Sequence, residues 1–407
     1  KESSAASDVY KRQGLSWVPS STWDLGKTFS YLKIRGSIAS VGMPFPRHLT
    51  VPTYEYDATN KVWKDKTHYP IGDLKPERTI TYEVGLDARL WQHINLSASW
   101  YQADTKNQTF DPSLPPSSSY TTIYLQTGHV RNTGVELSLG YDNQWRNFRW
   151  TTNFTYSWNK NEIVELVHNY KHPETGEYIT KERLEIKGLG KAKYILKPGG
   201  TLGDLYTNSD LVYNEDGYIE VDKNGNVAVK DDYMDDIYLG SVFPKYNLAW
   251  RNDFNYKGIN LGVLFTARIG GICYSATQAN MDLYGVSEAS AAARDAGGVM
   301  INGRDMIDAQ KWYQVIGSQS GLPQYYTYSA TNVRLQELSL GYTFPSKWFR
   351  DKMRMTVSFV GRNLWMIYCK APFDPEAVAS TGLNYQGIDY FMMPSMRNLG
   401  FNVKFQF

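Results

Sequence analysis

Four aspartates crowd into the segment KDDYMDD, at Asp231, Asp232, Asp235 and Asp236. Set beside Glu162 or Glu165 they could act as general acids, since that chemistry needs carboxylates held in different environments. A run of like charges between structured elements is more often a solvated loop, and the loop is the preferred reading. In DKNGNV, Asp222, Asn224 and Asn226 recur at every second residue, as the oxygen donors of a calcium loop do. The glycine expected after the third donor is replaced by Val227 and no closing Glu follows, so an Asn-Gly turn in a surface hairpin is preferred over a calcium site. No nucleophile elbow, HExxH, phosphate loop or CxxC pair occurs, and the six histidines are scattered. Cys273 and Cys369 are too few for a disulfide framework; both fall in expected loops near one rim, and two free thiols are preferred over a bridge. Nothing here reads as an enzyme, and no cofactor other than calcium is suggested.

With side-chain chemistry this sparse, the elements that carry it become the stronger signal. The 407 residues are 42% hydrophobic and 21% charged, enough for one large domain or two ordinary ones. A net charge of +2 lacks the basic footprint of a nucleic-acid binder. Thirty-one Tyr, 12 Trp, 16 Phe and 33 Gly, beside a mean hydropathy of −0.47, favour strands over helices. No run approaches the 18 or so apolar residues of a membrane-spanning helix, but the strands of a membrane barrel need no such run.

From Leu32 onward, segments of about ten residues alternate apolar and polar, as successive side chains of a strand face opposite sides. In TITYEVGLDARL one face carries Ile80, Tyr82, Val84, Leu86, Ala88 and Leu90, the other Thr81, Glu83, Gly85, Asp87 and Arg89. One face suits lipid and the other water. The pattern predicts about ten such strands through Leu399–Phe407, with a partial one at Gly14–Pro19. Connections alternate between short (91–93, 143–147, 257–258, 345–351) and long (42–76, 106–129, 161–245, 270–332, 365–394). A meander with every second connection long gathers its long loops at one end, as outer-membrane barrels do; a soluble sandwich has no reason to segregate them. Trp17, Trp91, Trp100, Tyr101, Trp145, Trp150, Trp158 and Trp250 are placed near strand ends, where aromatic girdles would sit. The ending NLGFNVKFQF alternates apolar residues and stops on an aromatic one, as barrel-assembly signals do.

Several segments then resemble one family, the SusC/RagA class of TonB-dependent transporters: FSYLKIRGSIASVG, LKPERTITYEVGLDARLW, VRNTGVELSLGY with WTTNFTYSWNKNEIVEL, GSVFPKYNLAWRNDFNYKGINLGVLFTARIGG, VRLQELSLGYTFP, VGRNLW and FDPEA, in the family's order. The resemblance implies an all-β, antiparallel up-and-down transmembrane barrel of about 22 strands filled by a plug. This chain would supply the C-terminal half, a partial barrel of about 11 strands over residues 14–407. Residues 1–13, which include the adaptor-like SSAASDVYKRQ, are left outside the fold.

The implied function is import of oligosaccharides or oligopeptides across the outer membrane of a Gram-negative cell, with a SusD-like surface lipoprotein as lid and energy from TonB through parts not in this chain. Outer-membrane lipid would surround the wall, and nucleic acid is no partner. On the register that would face the lumen lie Lys33, Arg35, Glu83, Asp87, Arg89, Glu136, Arg268, Arg354 and Arg362, expected chiefly to form ion pairs with a plug. Substrate contacts are expected from outer-loop tyrosines, Tyr120, Tyr124, Tyr206, Tyr213, Tyr218, Tyr325, Tyr326 and Tyr328, which could stack on sugar rings or pack peptides. Two alternatives stand beside this: a passive porin-like or adhesin barrel, which would lack a plug, and a soluble carbohydrate-binding β-protein, which would not show heat-modifiable migration.

Overall fold

A computed structural model describes residues 10–43, 54–65, 68–69, 76–110, 122–123, 125–171, 178–232, 235–380, 382 and 385–407. Eleven long strands form one antiparallel sheet in which each strand pairs with its neighbours in chain order. They are β1 (Tyr10–Trp17), β2 (Phe29–Met43), β3 (Glu77–Leu90), β4 (Ile94–Phe110), β5 (Leu125–Trp145), β6 (Phe148–Glu165), β7 (Tyr246–Tyr256), β8 (Ile259–Ile269), β9 (Asn332–Thr343), β10 (Arg354–Cys369) and β11 (Asn398–Gln406). The sheet is an open wall: β1 and β11 do not pair with each other.

Register turns the alternation in each strand into two continuous surfaces. Across β2 to β10 one row runs Ile34, Leu86, Ala98, Leu137, Tyr156, Leu248, Ala267, Val333 and Tyr368. The row one residue along runs Arg35, Gly85, Ser99, Glu136, Ser157, Asn247, Arg268, Asn332 and Cys369. A slip of one residue in any strand would put a charge into the apolar face, so the register is strongly specified. Polar groups that do fall on the apolar face are satisfied there, as where the Trp150 indole donates to Asn252 at 3.2 Å and that of Trp250 to Thr152 at 3.0 Å.

Short connections are tight because their backbones enter the left-handed region. Lys257 and Gly258 both have positive φ (47° and 91°), as in a two-residue turn whose twist matches that of the strands. Trp91, Gln92, Arg146, Arg350 and Asp351 do likewise.

All the long connections leave from the opposite end, and three of them are far from loose. Connection 166–245 holds a four-stranded sheet of Leu184–Leu189, Ala192–Leu196, Asp204–Thr207 and Ile237–Ser241. Connection 270–331 holds three short helices, Ala276–Leu283, Glu288–Asp295 and Ala309–Ile316, each started by a side chain capping the backbone: Ser275, Ser287 and Asp308. Its strand Ile272–Ser275 pairs in parallel with Ile388–Asp389 of connection 370–397. Of the main hydrophobic cluster, only Val130 and Ile163 belong to wall strands; the rest, including Tyr194, Leu205, Leu211, Tyr274, Trp312 and Leu322, lie in these connections. A single-layer wall has no second layer to bury its apolar face against, so the core forms in the cap.

Three expectations need correction. β1 begins at Tyr10, so residues 10–13 belong to the sheet, paired with Ile38–Val41, and of that terminus residues 1–9 lie outside the described residues. Strands β4, β5 and β6 run to 17, 21 and 18 residues, well past the expected ten, which leaves Trp100, Tyr101 and Trp158 in mid-strand and not at an end, and Trp250 likewise lies inside β7. The long connections, expected as loops, form a folded cap; the all-β class stands, with short helices added in connection 270–331, for which the Ser-Glu-Ala-Ser start before the alanine run at 291–293 is the available signal.

Candidate functional site

The polar face of the wall, with the cap at one end, is a continuous surface able to meet a solute. All nine charged residues expected on one register do share this face. Several find partners within the wall itself. Arg35 reaches Glu83 at 3.6 Å and Asp87 at 3.7 Å, and Ser97 donates to Asp87 at 2.7 Å. Gly85 makes room for this, since a Cβ there would lie 2.3 Å from Arg35 Nε. Arg362 binds Glu337 at 3.0 Å, Glu337 meets Arg251 at 3.4 Å, and Arg251 holds Asp253 at 2.8 Å. Arg89 donates to the Gln92 carbonyl at 3.1 Å, and Arg354 stands opposite Gln406 near the turn end. Lys33 stands opposite Asp87, and Glu136 between Ser99 and Ser157. The buried Nε of Arg268 has no hydrogen-bond partner among the described residues. Arg35, Ser99, Glu136, Ser157 and Asn247 line a groove of about 330 Å³ in this face.

Sequence reasoning missed Arg251, Asp253 and Glu337 on this face, and with them Asp142 bound by Arg149 at 2.7 Å. Period-two counting from Asn247 reaches Arg251 and Asp253, so that signal was present. It also missed Asp104, which gathers His129, Arg131 and Gln102, each at 2.8 Å, on the opposite face of the wall in the row of Ile80.

The tyrosines divide sharply. Tyr206 and Tyr326 are 9% and 2% exposed, so neither offers a ring to a ligand; both pack into the cap core, Tyr206 against Tyr238. Tyr213, Tyr218 and Tyr325 keep exposed rings, Tyr218 beneath the Arg304 guanidinium at 5.0 Å and Tyr325 edge-on to Trp312. Tyr328 packs edge-on against Phe373. Tyr120 and Tyr124 lie outside the described residues.

The acidic segments are tied down. Asp236 accepts two hydrogen bonds from Arg183, both at 2.8 Å, one from Asn208 and an ion pair from Lys197. The Arg183 hydrogen bonds, more than the opposing burial, hold its carboxyl well below the usual carboxylate range. Asp231 is paired with Lys191 at 2.9 Å. Asp222 closes its own turn: its carboxylate accepts the N–H groups of Asn224 and Asn226 and the Asn226 side-chain amide, all at 2.8 Å, while Gly225 takes φ +75°. Asn226 thus turns its nitrogen toward Asp222, and the Lys311 ammonium binds the Asn224 carbonyl. One carboxylate already engaged and a cation alongside do not fit a calcium ion. Among the described residues no three His, Cys, Asp or Glu side chains converge as metal ligands. Cys273 and Cys369 are free, and burial pushes the Cys273 thiol up to about 12.

The most enclosed ionic site was not anticipated. Arg334 in β9, 4% exposed, binds Asp374 at 2.9 and 3.2 Å and Glu376 at 3.3 Å, and donates to Asn332 and Asn363. It joins VRLQELS to FDPEA, and Ser395 donates to the same Asp374. The last connection is clipped to the wall at this point.

Comparison with known proteins follows the same lines. A family model described as TonB dependent receptor-like, beta-barrel matches residues 3–364. TonB-dependent receptor P3 of Formosa agariphila is 24% identical over 370 residues, covering 83% of this chain and 35% of that protein. TonB-dependent receptor SusC of Bacteroides thetaiotaomicron is 22% identical over 360 residues, covering 86% of this chain and 33% of that protein. The structure of the RagAB peptide importer in its closed-closed state superposes on 97% of this chain and 43% of its own, with a TM-score of 0.69 at 17% identity, a likeness of fold. The chain spans about a third of the length of the curated relatives it matches.

Proposed function

The chain belongs to the TonB dependent receptor-like β-barrel family of outer-membrane transporters, and from that premise we propose that it supplies wall, lumen lining and outer cap to a TonB-driven importer of oligosaccharides or oligopeptides. The observation that carries the proposal is the pairing of a continuous polar wall face with a folded cap at one end, an arrangement that suits one side of a passage and its entrance. Transport of this kind uses no covalent chemistry. The wall's own ion pairs balance several of its charges without a ligand, and of the expected tyrosines Tyr213, Tyr218 and Tyr325 keep exposed rings for sugars or peptides. A SusD-like lipoprotein is the proposed partner at the cap, supported by the likeness to SusC and to RagAB and by exposed Tyr284, Val286, Met300 and Met306 on connection 270–331.

Uptake of labelled oligosaccharides and oligopeptides by cells carrying the full protein, with and without TonB, tests this. Uptake that disappears with TonB is the expected result. Uptake of equal rate in both strains would leave a passive barrel in its place.

A further inference from the structure

We propose that the short-turn rim of the wall is a docking surface for anionic phospholipid headgroups. The inference rests on the barrel's place in the outer membrane and not on what the barrel carries. The connections at this rim, 18–28, 91–93, 146–147, 257–258 and 344–353, contain Lys27, Arg146, Lys257, Lys347, Arg350 and Lys352, against only Asp24 and Asp351. All six cations are exposed, and among the described residues none of them makes an ion pair. The two acids are already engaged, Asp24 by the Gly26 N–H at 2.9 Å and Asp351 by Ser346 at 2.7 Å.

The cap treats its cations differently. Arg183, Lys191, Lys193 and Lys197 each bind a carboxylate within 2.9 Å. None of the six rim cations has a carboxylate partner of this kind among the described residues. Interleaved with the open cations stand exposed aromatics, Trp23, Trp91, Trp145, Tyr256 and Trp348, the last 68% exposed, and the Lys257 ammonium lies 5.4 Å over the Tyr256 ring. Amphipathic rings settle at headgroup depth, and ammonium and guanidinium groups beside them lie level with lipid phosphates. Short turns of such barrels sit on the periplasmic side, where the leaflet is phospholipid. Charge complementarity, the aromatic rim and continuity with the apolar wall face therefore favour a phosphodiester headgroup bearing net negative charge over a zwitterionic one.

The test is native mass spectrometry on the full protein extracted in detergent and offered equal amounts of phosphatidylglycerol and phosphatidylcholine. Wild type should retain phosphatidylglycerol in excess. The Lys257→Gln/Arg350→Gln/Lys352→Gln variant should lose that excess, by about fivefold per cation removed. Lys257→Arg should keep it, and Lys223→Gln/Lys230→Gln at the cap should leave it unchanged. Heat-modifiable migration reports whether each variant is folded, and should the triple variant not fold, Lys257→Gln alone decides. Equal retention of the two lipids by wild type, an unchanged ratio in the turn variant, or an equal loss in the cap variant would each overturn the proposal, the first by leaving the cations free for a protein partner instead.

Discussion

At the scale of single residues, the Arg334 site carries the sharpest consequences. A buried guanidinium with two carboxylates is costly to disturb, because the Arg334 left behind stays desolvated with only the half-exposed Glu376 to pair it. Asp374→Asn should therefore weaken the anchorage of connection 370–397 by about 3 to 5 kcal/mol, seen as earlier proteolysis of that connection while the strands stay protected. Burial pushes the Asp374 carboxyl up, but hydrogen bonds from Arg334, Ser395 and the Glu376 N–H outweigh it and hold it below its ordinary value. The stabilisation is therefore complete above the ordinary aspartate value near 4, and lost as pH falls through the lowered one. Hydrogen exchange of residues 385–397 should be slow at neutral pH and speed up only below that range; exchange that speeds up near neutrality would show that another group holds the clip. Gly134 poses a steric version of the same dependence. A Cβ there would lie 2.4 Å from the Tyr101 ring, whose hydroxyl donates to Asn159, so Gly134→Val should cost about 1 to 3 kcal/mol by displacing the ring, measured as a lower urea midpoint.

The elements divide into those that alternation fixes and those that packing fixes. Strands β7 and β8 were legible to the residue, Tyr246–Tyr256 and Ile259–Ile269, because the wall's environment is set by lipid on one side and water on the other, and a two-residue turn separates them. The long connections were legible only as connections. Their apolar residues, such as Leu184, Leu205 and Tyr274, follow no single period, since each is buried against segments distant in sequence. For the same reason Tyr206 and Tyr326 resembled ligand-binding rings and are core residues: composition marks an aromatic loop but not which rings its own fold consumes. The nine wall charges were legible from register, while Arg334 with Asp374 was not, because alternation says nothing about which loop returns to cover which strand. If the cap is a folded unit, Leu205→Ala should cost it about 2 to 5 kcal/mol through lost burial and a cavity. Limited proteolysis should then cut within 166–245 while the heat-modifiable migration of the wall persists; loss of both together would mean that cap and wall fold as one cooperative body.

For the molecule as a whole, the two faces of the sheet make opposite demands, and adjacent residues expose the difference. Leu139 and Ser138 are neighbours in β5, Leu139 beside Leu96 and Phe154 on the apolar face, Ser138 beside Ser97 and Thr155 on the polar one. An arginine at Ser138 would enter a hydrated surface already populated by Arg35 and Arg251, with water and carboxylates at hand. An arginine at Leu139 would carry its charge into hydrocarbon, where nothing replaces hydration unless the side chain snorkels. Leu139→Arg should thus cost about 2 to 4 kcal/mol if it lies near the bilayer midplane, and less toward either rim, while Ser138→Arg should stay within about 1 kcal/mol, as surface changes do. Refolding the full protein into lipid vesicles over a urea series, scored by heat-modifiable migration, measures both. Equal costs at the two positions would mean that both faces meet the same medium, as in a soluble sheet, and would remove the membrane from the account; a cost confined to Leu139 assigns lipid to one face and water to the other, and with that the passage to the polar side of the wall.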